Sequence, residues 1–219
     1  MIETITLVDV LPRVFAGCEA EPPVSESQVW LHRVELHRGK RYIISAESGT
    51  GKSSLCSFIY GNRSDYSGQI LFDGRDSRDI GIAERCALRR KSLALLPQEM
   101  RLFPELTVME NIQLKNSLTG YKSEAEIRAM LDELEIGAKA DEKAATLSIG
   151  QQQRTALIRA LCQPFDFLLL DEPVSHLDAR NNAAAAAMVQ READKQGAAI
   201  VATSVGNNIN ITDYTILRL

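Results

Sequence analysis

The stretch "YIISAESGTGKSSLCSFIYG", residues 42–61, decides the fold. It opens on a short apolar run, passes through a Gly-rich turn and continues as an apolar helical pattern. Within it "AESGTGKSS", residues 46–54, fits the phosphate-loop spacing G-x-x-x-x-G-K-[ST], with Ala46 in the first Gly place. Gly49 and Gly51 let backbone N–H groups close around phosphate oxygens where side chains would obstruct. The helix starting near Lys52 turns its positive dipole end toward the same anion. Lys52 reaches the β- and γ-phosphates, and the Ser53 hydroxyl is a Mg2+ ligand in such a loop. Expected nucleotide contacts are therefore Ala46, Glu47, Ser48, Gly49, Thr50, Gly51, Lys52, Ser53 and Ser54. Ala46 departs from the pattern by one methyl and gives up only the freedom to take positive φ.

Working outward, "FLLLDEP", residues 167–173, reads as a buried strand that delivers Asp171 to the carboxyl edge of a sheet. Asp171 would hold Mg2+ through its water shell, and Glu172 would orient and deprotonate an attacking water. "SLALLP" and "AAIVATS" are further buried strands, "QILFDG" is a strand closed by a turn, and "YTILRL" is a last strand. "TITLVDV" and "QVWLHRVEL" are strands near the start, separated by "FAGCEAEPPVSES", which reads as an exposed loop. From residue 105 to 162 helical periodicity dominates, as in "SEAEIRAMLDELEIG". The pattern predicts an α/β fold, a mostly parallel sheet with an N-terminal antiparallel part and an inserted helical lobe. The expected division is one domain over 1–219, with an α/β core at 1–97 and 163–219 and a helical lobe at 98–162.

Composition sets bounds on function. A chain of 219 residues with 45% hydrophobic and 25% charged residues is that of an ordinary globular protein. Net charge is −4 with Lys and Arg dispersed, so no nucleic-acid footprint is present. No apolar run approaches the roughly 18–20 residues of a membrane span. "MIETITLVDV" carries acid rather than base and does not read as a signal peptide. Cys18, Cys56, Cys86 and Cys162 lack metal spacing and read as reduced, packed thiols, which points to the cytoplasm.

Five motifs in one order carry a resemblance. After the phosphate loop come Gln98 in "LLPQEMRLFPELTVMENI", then "LSIGQQQR" at 147–154, "FLLLDEP", and "SHLD" at 175–178. In these the chain resembles the nucleotide-binding subunits of ABC transporters, a P-loop NTPase fold with a RecA-like core. It looks most like the small ATPases of lipoprotein-releasing and macrolide-efflux complexes. The resemblance implies ATP and Mg2+ as cofactors, with Ser53, Gln98 and Asp171 at the metal and Glu172 and Gln98 in catalysis. It implies that two such subunits meet head to tail, a homodimer being the expected form. Ser148, Ile149, Gly150 and Gln151 of one subunit would then close over ATP on the other, with Asp178 crossing the interface. It further implies a separate membrane subunit, no nucleic acid, and a place on the inner face of the membrane held through that partner. The apolar "RLFPELTV" is a candidate contact for it.

Two departures bear on turnover. Ser204 stands where the resemblance places a γ-phosphate-contacting His, and Ile149 stands where a second Gly is usual. Phe15 is the candidate adenine-stacking aromatic, and Trp30 reads as core. A β-branched residue is poorly suited to positive φ, so Ile149 is expected at negative φ. The residues leave open an ATP-binding switch with little turnover, or a soluble ABC protein outside transport.

Overall fold

A computed structural model describes residues 1–219. Strand β1 (Thr4–Pro12) is followed by β2 (Arg33–His37), β3 (Arg41–Ser45), helix α1 (Lys52–Tyr60), β4 (Tyr66–Phe72) and β5 (Arg75–Asp76). Then come α2 (Ile82–Lys91), β6 (Leu93–Leu96), α3 (Val108–Asn116), α4 (Glu124–Glu133) and α5 (Ile149–Leu161). The chain finishes with β7 (Phe167–Asp171), α6 (Ala179–Gln196), β8 (Ala199–Ser204) and β9 (Tyr214–Arg218). One sheet is parallel, in the order β6-β7-β8-β3-β9; the other is antiparallel, in the order β2-β1-β4-β5. The expected α/β architecture, with an antiparallel part formed by N-terminal strands, is the one observed.

The parallel sheet is covered on both faces, which is why its strands read as continuous apolar runs. Leu168 and Leu170 of β7 pack into the apolar layer shared with the helices of residues 108–196. Phe167 and Leu169 of the same strand pack into the other layer, with α1 and the antiparallel sheet. Because β3, β7 and β8 run parallel, their C-terminal ends lie on one edge. The register sets Ser45 beside Ser204 and Asp171 beside Thr203.

The helices after residue 98 are cut sharply. Thr107, Ser123 and Ser148 each begin a helix with a reciprocal capping box, to Glu110, Glu126 and Gln151. The connection between α3 and α4 is tied to α6 by a buried ion pair, Lys122 Nζ to Glu192 Oε2 at 2.7 Å. The Asn116 side chain fastens both the N–H and the carbonyl of Lys122.

Three details differ from the sequence reading. The segment after β1 is not simply exposed: Val24 and Ser27 are buried, and Gln28 bonds both to the N–H and to the carbonyl of Arg218. Helix α2 forms without an apolar stripe, burying none of its side chains, so periodicity gave no signal for it. Cys56 and Cys162 are packed, whereas Cys18 and Cys86 are exposed; all four are free. Burial pushes the Cys162 thiol up to about 12. No helix is long and apolar enough to cross a membrane.

Two outcomes are expected. Removing one partner of a buried ion pair leaves an uncompensated charge, so Glu192→Ala should lower stability by about 3–5 kcal/mol in urea denaturation. Maleimide at neutral pH should label Cys18 and Cys86 in the native chain, and Cys56 and Cys162 only in denaturant.

Candidate active site

The phosphate loop leaves β3 at Ser45 and enters α1 through Gly51, which takes a left-handed conformation at φ 100°. Gly49 is also left-handed, at φ 87°. Gly51 is doubly required, since a Cβ there would lie 2.9 Å from Trp30 Cζ2 and 3.3 Å from Phe15 Cε2. Trp30 is fully buried, and its indole N–H donates to the Thr50 carbonyl at 3.0 Å, holding the loop from below. Ala46 is not among the positive-φ residues, so its methyl costs the loop no conformational freedom. Its N–H donates to the Ser204 carbonyl at 3.2 Å.

Lys52 is only 4% exposed, and its ammonium donates to the carbonyls of Ala46, at 3.2 Å, and Glu47. Burial lowers its pKa, while the Glu172 and Asp171 carboxylates pull the other way. Ser48, Gly49, Gly51, Lys52, Ser53 and Ser54 line a cleft of about 240 Å³ with Gln98 and Glu172. An adjoining cleft of about 210 Å³ holds Ser53, Gln98 and Asp171 together. The Ser53 hydroxyl donates to Gln98 Oε1 at 3.3 Å, so the loop and the segment after β6 meet directly. Residues far apart in sequence thus converge on one wall.

The two consecutive carboxylates line adjoining clefts that share Ser53 and Gln98. Asp171 ends β7 and accepts a 2.8 Å bond from the Thr203 hydroxyl. Glu172 takes φ 49°, a left-handed conformation unusual for a residue with a side chain. Its N–H donates to Thr203 Oγ1 at 3.0 Å. Its carbonyl accepts from Gln153 Nε2 at 3.0 Å and from the Ser175 hydroxyl at 3.2 Å. The sequence reading had singled out neither Thr203 nor Gln153. Their only signals are the register of β7 against β8 and the helical phase of α5, and both need the fold.

Other expected residues lie elsewhere. Glu47 and Thr50 line a recess of about 700 Å³ on the other side of the loop, with Val205 and Gly206. Phe15 is half-buried beside Gly51. Ser204 lies in β8, 3% exposed; its hydroxyl has no hydrogen-bond partner and lines neither cleft.

Ser148, Ile149, Gly150 and Gln151 also stand outside both clefts, at the start of α5. Ser148 caps the helix by accepting from the Gln151 N–H at 3.3 Å. Ile149 is helical rather than left-handed, as expected, and 54% exposed. Gly150 packs closely within the chain: a Cβ there would lie 3.0 Å from the His176 carbonyl. Gln153 completes the link, since its Oε1 accepts from the His176 N–H at 3.0 Å. Asp178 caps α6 through the Asn181 N–H at 2.8 Å, and that bond holds its carboxyl below the usual range. His176 is exposed.

The oxygens of Ser53, Gln98 and Asp171 form a hard donor set that fits Mg2+, which prefers few protein ligands completed by phosphate and water. No group of three or more His, Cys, Asp or Glu side chains is placed to hold a metal alone.

The phosphate-loop geometry, the paired carboxylates and the separate helix start define a nucleotide-binding cassette. The chain belongs to the ABC transporter family, whose profile matches residues 32–175. It is 31% identical to the lipoprotein-releasing system ATP-binding protein LolD of Shewanella denitrificans, over 84% of this chain and 81% of that one. It is 36% identical to the uncharacterized ABC transporter ATP-binding protein YbbA of Escherichia coli, over 65% of this chain and 64% of that one. Its fold matches a dimeric post-hydrolysis structure of the ATP-binding cassette MJ0796 bound to ADP and Pi, with a TM-score of 0.75 and 24% identity. That match covers 98% of this chain and 94% of the other.

Gly-to-Ala at a helical position ordinarily stabilises by up to about 1 kcal/mol. Gly150→Ala should instead lose about 1–3 kcal/mol in denaturation, because the new methyl meets backbone rather than a movable side chain. Ile149→Gly, at an exposed first-turn position, should cost no more than about 1 kcal/mol by the same measurement.

Proposed function

We propose that this chain is the ATP-hydrolysing subunit of an ABC transporter, acting as a head-to-tail dimer on a separate membrane subunit. The observation that carries this reading is the convergence of Lys52, Ser53, Gln98, Asp171 and Glu172 on adjoining clefts. Loop N–H groups and the N-terminus of α1 receive the phosphates, and Lys52 neutralises charge on the β- and γ-oxygens. Ser53, Gln98 and Asp171 would hold Mg2+, which when bound offsets negative charge on the same oxygens. Glu172 orients the attacking water and takes its proton, and Gln98 lines both its cleft and that of Asp171. Phe15, beside Gly51, is positioned to stack against the base.

A dimer is supported by the signature residues Ser148–Gln151. They form a capped helix start, a ready anion site, and yet they line neither phosphate cleft of their own chain. A second copy brings that site to the nucleotide, with Asp178 at the interface. Residues 98–162 then act as a lobe that moves with the signature against the core of 1–97 and 163–219.

A groove of about 290 Å³ beside Gln98 supports the membrane partner. Tyr60, Leu95, Pro97, Phe103, Leu114 and Ala160 give it apolar walls, and Arg101, Lys115 and Arg159 line it without any carboxylate. Burial, together with the Arg159 and Arg89 charges, lowers the Lys115 pKa. An apolar segment carrying an acidic residue complements this groove, and through it the chain is held peripherally at the inner face of the membrane. The buried, partnerless Ser204 hydroxyl favours slow turnover, since it brings no cation to the γ-phosphate.

Replacing the proposed base should leave binding intact: Glu172→Gln should lower MgATP hydrolysis by roughly 100-fold or more and accumulate an ATP-bound dimer in size-exclusion chromatography. Lys115→Glu should abolish co-purification of the membrane subunit while basal hydrolysis by the isolated chain stays within about twofold; unchanged co-purification would place the partner elsewhere.

A further inference from the structure

Consecutive residues of a strand normally face opposite sides of the sheet. Asp171 and Glu172 nevertheless serve adjoining clefts that share Ser53 and Gln98, one lined by Glu172 and the other by Asp171. What permits this is the left-handed conformation of Glu172, at φ 49°. Such a conformation is strained for a residue with a Cβ and persists only where neighbours enforce it.

The enforcing group on the N-terminal side is the Thr203 hydroxyl. It is one oxygen with one proton, and both functions are spent on the site. The proton goes to Asp171 Oδ1 at 2.8 Å, and a lone pair takes the Glu172 N–H at 3.0 Å. Thr203 is 1% exposed, so no water competes for either bond. The parallel register sets Thr203 directly beside Asp171, which makes both contacts geometrically available from one residue of β8. The polarity is fixed as well: a carboxylate can only accept and a backbone N–H can only donate, so the hydroxyl has a single arrangement that satisfies both.

We infer that Thr203 is a positioning residue that sets the aim of Asp171 and Glu172 together, coupling the metal-binding carboxylate to the water-activating one through a single hydroxyl. This rests on the proposed ATPase reading. By occupying one lone pair of Oδ1, Thr203 fixes the rotation of the Asp171 carboxylate and so which oxygen faces Ser53 and Gln98. By anchoring the Glu172 N–H, it holds the turn that swings the Glu172 side chain out of the strand direction. Thr203 lines neither cleft; it acts through the two residues that do. Its neighbour Ser204 makes neither contact, its hydroxyl being buried without a partner.

The test uses the full chain with Thr203→Val, which keeps the shape and deletes the hydroxyl, Thr203→Ser, which keeps the hydroxyl, and Thr203→Ala as a smaller deletion. Steady-state hydrolysis gives kcat and KM for MgATP. Anisotropy of a fluorescent ATP analogue, titrated with Mg2+ and in EDTA, reports metal-dependent binding without turnover. Losing a hydrogen bond to a charged group should lower kcat roughly 10- to 100-fold in Thr203→Val and Thr203→Ala. KM should move less than about threefold, and the Mg2+ concentration for half-maximal binding should rise several-fold while binding in EDTA stays the same. Thr203→Ser should restore both readouts to within about threefold of wild type. Val and Ser variants impaired alike, or a Val variant with wild-type kcat and Mg2+ dependence, would overturn the inference. A wild-type chain that binds no MgATP would instead defeat the ATPase reading beneath it.

Discussion

The site depends on the parallel pairing of β3 with β8 and of β8 with β7. Parallel strands end on the same edge, and that edge receives the phosphate loop from β3, Asp171 and Glu172 from β7, and Thr203 from β8. The pairing also explains the burial of these strands on both faces, since helices cover one side and α1 with the antiparallel sheet covers the other. A carboxylate, a lysine and a left-handed glutamate are costly to hold in place individually. They persist because two apolar layers fix the backbone that presents them.

Around that edge the chain spends its hydrogen bonds on aim. Trp30 holds the Thr50 carbonyl from beneath the loop, Thr203 holds two consecutive residues at the end of β7, and Gln153 holds the Glu172 carbonyl from α5. The last contact has a consequence for coupling. Gln153 also accepts the His176 N–H, and Arg154 of the same helix donates to the Asn181 side chain, so the signature helix, the turn after Glu172 and the Asp178 cap are one hydrogen-bonded unit. A partner that moves the start of α5 would therefore act on the Glu172 backbone.

Much of this was legible in the sequence, for physical reasons that can be named. The phosphate loop announces itself because its glycines, lysine and serine are local and their spacing is set by a backbone turn. The buried strand before Asp171 is equally local. Ile149 was readable as helical because β-branching disfavours positive φ, and it is helical. What stayed hidden depends on register or on close approach. Nothing in "VATSV" distinguishes Thr203 from Ser204, yet alternation sends one hydroxyl to Asp171 and leaves the other buried without a partner. Gly150 reads as part of the segment that closes over ATP on a second subunit, and its close approach to the His176 carbonyl shows only in the fold. Helix α2 was missed because it buries no side chain and so carries no stripe.

The cleft lined by Lys52 and Glu172 is the proposed place of nucleoside triphosphate binding and cleavage. Phosphate release from MgATP by the full-length chain, compared with Lys52→Met, tests it most directly. Slow, saturable release is expected from the wild-type chain, abolished in the variant while circular dichroism shows the fold retained. Equal release by both proteins, or none by the wild type even with its membrane partner present, would contradict it.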